Sequence, residues 1–391
     1  MEGDFIKIND WLLPLSWIYG AGVRLRNQMF EMGMLKSRSF DIPVISVGNI
    51  TVGGSGKTPH VEYLINLLRD KVKVAVLSRG YKRKSKGYML ATADTPMSDI
   101  GDEPYQMKKK FADIYVAVDK DRCHGIDQLT TNEETSDTDV ILLDDAYQHR
   151  YVKPGVNILL VDYHRLIMYD KLLPAGRLRE PQKGKARADI VIVSKCPADL
   201  KPMEFRVITK AMNLFPYQKL YFTTLKYGSL RPIYGGEDRK LDTLTGDTSI
   251  LLLTGIASPQ QMIVDLKPYT ERITPLTFPD HHQYTDADID RINAEFEAMK
   301  GNDKMIVTTE KDNARLCGME GLSEEVKKNI YVLPVEVGFM LDQEEDFNEN
   351  IIGYVRKNSR NSILAKAKDD NKSDNSDNSG NRTRTISFRN N

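Results

Sequence analysis

The stretch SVGNITVGGSGKTPHVEYL (46–64) sets three glycines, Gly53, Gly54 and Gly56, directly before Lys57 and Thr58. Glycine adopts backbone angles closed to other residues, so successive N–H groups can turn inward on an anion. A lysine at the end of such a loop reaches the outer phosphates of a nucleoside triphosphate, and the hydroxyl after it ligates Mg²⁺. The pattern G-x-x-x-x-G-K-[ST] is broken at its first position, where Thr51 stands for glycine. The glycines nearest the phosphates remain. The expected ATP cradle is therefore Thr51, Val52, Gly53, Gly54, Ser55, Gly56, Lys57 and Thr58, with Ser55 in reach of the γ-phosphate. A plain glycine-rich turn is the competing reading, and a Gly-Lys-Thr run between a strand and a helix is uncommon by chance.

The second chemical signal is DVILLDDAYQH (139–149), an apolar run that ends in Asp144 and Asp145. A carboxylate at the C-terminal end of a neighbouring parallel strand lies in the crevice where ligands bind, and there it holds Mg²⁺ directly or through water. Many strands end in Asp, so this signal gains its weight from the glycine loop. Guanine recognition is disfavoured: in VIVSKCPAD, three residues separate Lys195 from Asp199.

These groups need a scaffold. Short apolar, β-branched runs at 42–50, 73–81, 114–119, 139–145, 156–162 and 188–195 read as strands buried on both faces. Val61, Leu64, Ile65 and Leu68 recur at helical spacing after the glycine loop, so a helix starts near Thr58–Pro59. The fold class expected is α/β, P-loop NTPase-like: a mostly parallel sheet flanked by helices, with a second, smaller α/β domain. That second domain is read from strands at 249–257, 272–282, 304–312 and 331–339 alternating with helices. The expected division is an N-terminal helical segment (1–35), a P-loop domain (36–215), a connector (216–236), the smaller domain (237–355) and a polar tail (356–391). The tail is rich in Asn, Asp, Ser and Lys and holds too little apolar surface to offset ordering.

Composition narrows the partners. Lys plus Arg and Asp plus Glu both number 55, so no net field advertises nucleic acid. Cys123, Cys196 and Cys317 lack metal-ligand spacing and form no disulfide framework, which favours a reducing compartment. No secretory signal is apparent, and no run reaches the roughly 18 apolar residues of a spanning helix. Residues 11–35 hold both tryptophans, Trp11 and Trp17, close to Arg24 and Arg26. That composition suits a helix lying in a membrane interface, but the residues alone favour a helix packed on the protein's own core, with Pro14 in its N-terminal turn.

The ordered series SVGNITVGGSGKTP, LSRGYKRKSKG, GDEPYQM, DDAYQHR, LPAGRLREP, FPDHHQYT and TTEKD resembles the tetraacyldisaccharide 4'-kinase family, the lipid A 4'-kinases of Gram-negative bacteria. The resemblance spans roughly residues 10–340, and Thr at the first loop position is part of that family's form. Ala146 and Tyr147 depart mildly from the Gly-Phe or Gly-Leu more usual there. The resemblance implies transfer of the ATP γ-phosphate to the 4'-hydroxyl of tetraacyldisaccharide 1-phosphate. It implies a monotopic enzyme on the cytoplasmic face of the inner membrane, and it turns the reading of 11–35 toward a membrane-associated helix. It places the catalytic pair at Asp102 and His281, the latter supported by Asp280, alongside Lys57. It puts Gln148, His149 and Arg179 at the nucleotide, and Thr58, Asp144, Asp145 and Glu180 at Mg²⁺. Arg177 joins Arg179 in an arginine fork. The basic run Arg79, Lys82, Arg83, Lys84 and Lys86 is read as a contact for the substrate's 1-phosphate or for anionic lipid heads. A nucleotide-hydrolysing switch or metallochaperone, which needs no Asp102–His281 pair, is the contrasting class. A small-molecule kinase or ligase, which needs no Trp-bearing N-terminal segment, is a weaker third.

Overall fold

The apolar runs become neighbouring strands because each is buried on both faces and must be covered from above and below. The structure, a computed structural model, describes residues 8–256, 259–280, 282–316 and 319–359. The first sheet is entered by β1 (Val44–Gly48), β2 (Val74–Ser78), β3 (Met89–Leu90), β4 (Tyr115–Val118), β5 (Val140–Asp144), β6 (Val156–Asp162), β7 (Ile190–Ser194) and β8 (Lys219–Tyr227). The second holds β9 (Arg231–Pro232), β10 (Ser249–Thr254), β11 (Ile273–Thr277), β12 (Lys304–Thr309) and β13 (Ile330–Leu333), and β14 (Val335–Phe339) returns to the first.

The first sheet runs β14-β8-β7-β6-β1-β5-β2-β4-β3, and only its edge strands β3 and β14 pair antiparallel. β1 lies between β5 and β6, in parallel register Val47↔Asp144 and Val47↔Ile158. The order reverses at β1, so the loop after it opens into the crevice of a doubly wound sheet. The second sheet runs β11-β10-β12-β13-β9.

The helices are α1 (Leu13–Glu31), α2 (Lys57–Leu68), α3 (Met97–Ile100), α4 (Asp102–Lys110), α5 (Arg122–Thr131), α6 (Pro202–Met212), α7 (Gln260–Leu266), α8 (Asp286–Ala298), α9 (Glu310–Leu316), α10 (Glu324–Asn329) and α11 (Glu344–Asn358). On one face of the first sheet, Val61, Leu64, Ile65 and Leu68 of α2 share a core with Ile45, Val47, Val76 and Leu142. Phe347, Ile351 and Val355 of α11 join the same core.

That last contact moves a boundary. The run YVLPVEVGF (331–339), expected as one strand of the smaller domain, breaks at Pro334, which has no N–H to continue a ladder. β13 ends in the second sheet, and β14 pairs with β8 in the first through Val335↔Tyr227 to Phe339↔Thr223. The expected connector likewise divides, β8 belonging to the first sheet and β9 to the second. The chain thus crosses between lobes twice, and the crossings touch: Gly228 N–H donates to the Pro334 carbonyl at 3.1 Å. Residues 237–333 contain the second lobe's remaining strands, while 335–358 complete the first lobe. The polar tail beyond 359 lies outside the described residues.

Candidate active site

The glycine loop takes its shape from both neighbours. Thr51 forms an antiparallel bridge with Leu178, flanked by Arg179 N–H to Ile50 O at 2.7 Å and Val52 N–H to Arg177 O at 2.8 Å. The chain is paired like a strand where the usual loop has glycine, and a β-branched residue suits that geometry. The left-handed angles come later, at Gly53 (φ 117°) and Gly56 (φ 78°), and Gly56 caps α2. The N-terminus of a twelve-residue helix then points its free N–H groups into the loop. Lys195 Nζ donates to the Gly54 carbonyl and pairs with Asp162 at 3.0 Å, so this lysine props the loop from β7.

Ser55 is fastened from two sides. Its side chain is buried, Asn49 Nδ2 donates to its Oγ at 2.7 Å, and Ser194 Oγ donates to its carbonyl at 2.9 Å. The side chain is thus held inside the protein with its oxygen accepting, and the Ser55 N–H is a further donor in the loop. Below the loop His60 is buried, and burial pushes its imidazole down to about 4. A carbonyl only accepts, so Nδ1 donates to Gly56 O (2.7 Å) and Nε2 accepts from the Thr223 hydroxyl (3.0 Å). This neutral histidine ties the loop to β8.

The acidic pair splits into two environments. Asp144 is buried; Ser78 Oγ donates to its Oδ2 at 3.1 Å, and its Oδ1 has no hydrogen-bond partner among the described residues. Burial, with Asp145 and Glu103 nearby, raises it to about 6. Asp145 adopts φ 46°, uncommon for a residue other than glycine, which aims its carboxylate at Lys57 Nζ (3.6 Å) and Arg179 Nη1 (3.5 Å). Burial opposes its ionisation, yet Lys57 and Arg179 outweigh burial and hold it below the usual carboxylate range. Arg179 Nη1 also donates to Gln148 Oε1 at 3.3 Å, and Gln148 Nε2 donates to the Asn49 carbonyl at the root of the loop. Lys57, Asp145, Arg179 and Gln148 are thus one connected group. A buried carboxylate oxygen without a donor, beside a phosphate loop, fits a hard divalent cation.

Two predicted neighbours are held elsewhere. Arg187 Nη2 donates to both oxygens of buried Glu180, at 2.8 and 2.9 Å, so a metal at Glu180 would compete with a guanidinium. The His149 ring tilts against Tyr151 with centroids 5.6 Å apart, and it groups with Asp121 and Cys123. In the basic run, Arg83 turns inward, with Nη1 to Val118 O at 3.3 Å and Nη2 to Gly87 O at 2.5 Å. Arg79, Lys82, Lys84 and Lys86 are exposed.

Asp102 opens α4, after Gly101 at φ 92°, where an added Cβ would meet Tyr81 O at 2.9 Å. Its Oδ2 receives Arg315 Nε at 2.9 Å and Nη2 at 2.6 Å. Arg315 comes from α9 of the second lobe, where its Nη1 donates to Asp312 Oδ1 (3.1 Å) and Gly255 O (2.9 Å). Lys311 adds pairs to Glu103 (3.0 Å) and Asp280 (3.5 Å), and Lys110 bridges Glu62 and Glu310. The candidate base is thus fastened by the other lobe. His281 lies outside the described residues.

Arg315, Lys311, Asn49, His60 and Arg187 were missed by sequence reasoning. Arg315 follows the TTEKD motif by one helical step from Asp312, which was the available signal; Arg187 carried none.

Helix α1 covers the edge of this site. Ser16 Oγ donates to Leu172 O at 3.0 Å, Tyr19 Oη donates to Arg179 O at 2.7 Å, and Arg26 reaches the Gln148 carbonyl. Its large apolar side chains face out: Trp17 is 72% exposed, Ile18 71%, and Trp11 just before the helix 83%. No helix among the described residues is long and apolar enough to cross a membrane.

The profile of the family described as Tetraacyldisaccharide-1-P 4'-kinase (LpxK) matches residues 8–356. A tetraacyldisaccharide 4'-kinase of Phocaeicola vulgatus is 61% identical over 363 residues, covering 93% of this chain and 99% of that protein. One from Bacteroides fragilis is 55% identical, covering 95% and 100%. A crystal structure of LpxK from Aquifex aeolicus in complex with ATP superposes with a TM-score of 0.67 at 31% identity, covering 89% of this chain and 99% of that one.

Proposed function

The chain belongs to the tetraacyldisaccharide-1-P 4'-kinase family, and from that premise we propose how its own residues divide the work. It is an ATP-dependent lipid kinase of lipid A biosynthesis, moving the γ-phosphate of ATP to the 4'-hydroxyl of tetraacyldisaccharide 1-phosphate. The N–H groups from Gly53 to Thr58 and the Lys57 ammonium bind the phosphates. Arg179, steered by Gln148, meets the charge that builds on the transferring group. Asp144, Asp145 and the Thr58 hydroxyl would hold Mg²⁺, which supplies charge neutralisation on the phosphate oxygens. The partnerless Asp144 oxygen supports that assignment. Glu180 acts one step removed, through Arg187.

Phosphoryl transfer forms a bond from the 4'-oxygen to the γ-phosphorus and breaks the bond to the β-bridging oxygen, releasing ADP. The 4'-hydroxyl proton passes to the Asp102 carboxylate. Arg315 orients that carboxylate from the second lobe, and His281 is its partner on the family resemblance. The observation that carries this reading is Asp102 at the N-terminus of α4, its Oδ2 held by Arg315 Nε (2.9 Å) and Nη2 (2.6 Å) from the second lobe.

We assign α1 to the cytoplasmic surface of the inner membrane, a site matched to a substrate whose four acyl chains stay in the bilayer. Its outward Trp11, Trp17 and Ile18 support this.

The test is direct. Protein, Mg-ATP and tetraacyldisaccharide 1-phosphate in detergent should give the 1,4'-bisphosphate, and Asp102→Ala should lower kcat by roughly a hundredfold or more while ATP binding is kept. Wild-type turnover in Asp102→Ala would remove it from the base role.

A further inference from the structure

We propose that Asp121, Cys123 and His149 form a second metal site, a thiolate–imidazole–carboxylate set for a divalent cation of the Zn²⁺ class, separate from the Mg²⁺ position at Asp144 and Asp145. One ligand atom from each residue already lies within 4.8 Å of the others. Zinc–sulfur and zinc–nitrogen bonds of about 2.3 and 2.0 Å bring tetrahedral ligands to within about 4 Å of one another, so rotamer adjustment of about 1 Å closes the set. The three residues come from two elements. Asp121 caps α5, Cys123 sits in its first turn, and His149 lies in the loop after β5. β4 and β5 are parallel to β2, which lies between them, so their C-terminal loops emerge at the same edge of the sheet. The sequence separation of Cys123 and His149 hides this proximity, which is why cysteine spacing alone argues against a metal.

Each donor is prepared. Asp121 Oδ1 accepts from the N–H groups of Cys123 (2.9 Å) and His124 (3.3 Å), which fixes the carboxylate. The Cys123 thiol donates to the Tyr151 carbonyl at 3.5 Å, a bond the metal replaces as the thiol proton is released to solvent. His149 Nε2 is buried with no hydrogen-bond partner among the described residues. The neighbouring cation Arg122 is bonded to the carbonyls of Asp119 and Asp144. A thiolate and a carboxylate together neutralise a dication. Sulfur and imidazole select Zn²⁺-like ions over Mg²⁺, and three protein ligands leave a fourth position for water. Since Gln148 joins Asn49 to Arg179, an ion on His149 would pin the adjoining segment of the nucleotide site to α5.

Titrating the metal-free full chain with Co²⁺, a spectroscopic stand-in for Zn²⁺, tests the site. One equivalent should produce a thiolate-to-cobalt charge-transfer band with tetrahedral d–d absorption, displaced by Zn²⁺ and not by excess Mg²⁺. Cys123→Ser should abolish the charge-transfer band and weaken Zn²⁺ binding at least about tenfold, and Asp121→Asn should weaken it too. Cys196→Ser and Cys317→Ser should keep the band. Unchanged ATP binding and turnover of metal-free Cys123→Ser would show an intact fold and separate this site from the kinase centre. A wild-type chain without the band, or a band that survives Cys123→Ser, overturns the proposal.

Discussion

Two helices flank the nucleotide site and are built on opposite principles. α2 buries Val61, Leu64, Ile65 and Leu68 against the first sheet and presents its N-terminus to the phosphates. α1 is longer, yet the residues it buries are Ser16, Gly20 and Phe30, while Trp17 and Ile18 face out. The apolar side chains of α2 explain why it folds where it does. Those of α1 are left over after folding, and its docking runs on small residues and hydrogen bonds. The contrast teaches that apolar content alone does not say which way a helix faces; the small residues that permit close approach do.

Substitutions can break this contrast at graded cost. Leu64→Ala in α2 should be the most damaging, losing about 2–5 kcal/mol in chemical denaturation, because it leaves a cavity in a full core. Acid should act through His60. Its native pKa of about 4 lies below the ordinary 6.5, so the unfolded chain takes up the proton first. The stability this group protects is complete above about 6.5 and falls as pH drops toward 4, by on the order of 3 kcal/mol in all. Denaturation at stepped pH should show this slope, and His60→Gln should reduce it, with His149, which burial also lowers to about 4, supplying part of what remains. Gly20→Val in α1 comes next. A Cβ there meets Leu172 Cδ1 at 2.7 Å, the far end of a side chain that can turn aside, so with the two further methyls of Val a loss of about 1 kcal/mol is expected. Smallest is the double change Trp11→Ser and Trp17→Ser, expected to move stability by less than about 0.5 kcal/mol. The same variant should bind anionic vesicles at least about tenfold more weakly in sedimentation. Unchanged vesicle binding would make α1 an ordinary surface helix and erase the contrast.

What sequence could reveal follows how far apart the interacting residues lie. The buried strands and the Gly-Lys-Thr loop are local patterns, and they appear where expected. Thr51 needed its pairing with Leu178, and Ser55 its bond to Asn49, before either made structural sense. Asp102 and Arg315 are 213 positions apart, and nothing local marks an arginine on α9 as the clamp of a carboxylate on α4. Glu180 is put at Mg²⁺ by the family resemblance, and its bond to Arg187 was hidden because that arginine belongs to a turn with no pattern of its own. Pro334 was visible, but that it sends the chain back to the first sheet depended on β8 waiting there.

The touching crossings at Gly228 and Pro334 have an architectural consequence. β8 and β14 are adjacent antiparallel strands whose near ends, Tyr227 and Val335, pair directly. Topologically they are a hairpin, and the whole second lobe is inserted at its tip, a position where foreign sequence is tolerated best. Replacing 229–333 by a tight turn would leave every strand of the first sheet with its neighbours. The nucleotide-binding lobe is thus a self-contained chassis, and the lobe that clamps Asp102 is a module grafted onto one of its loops.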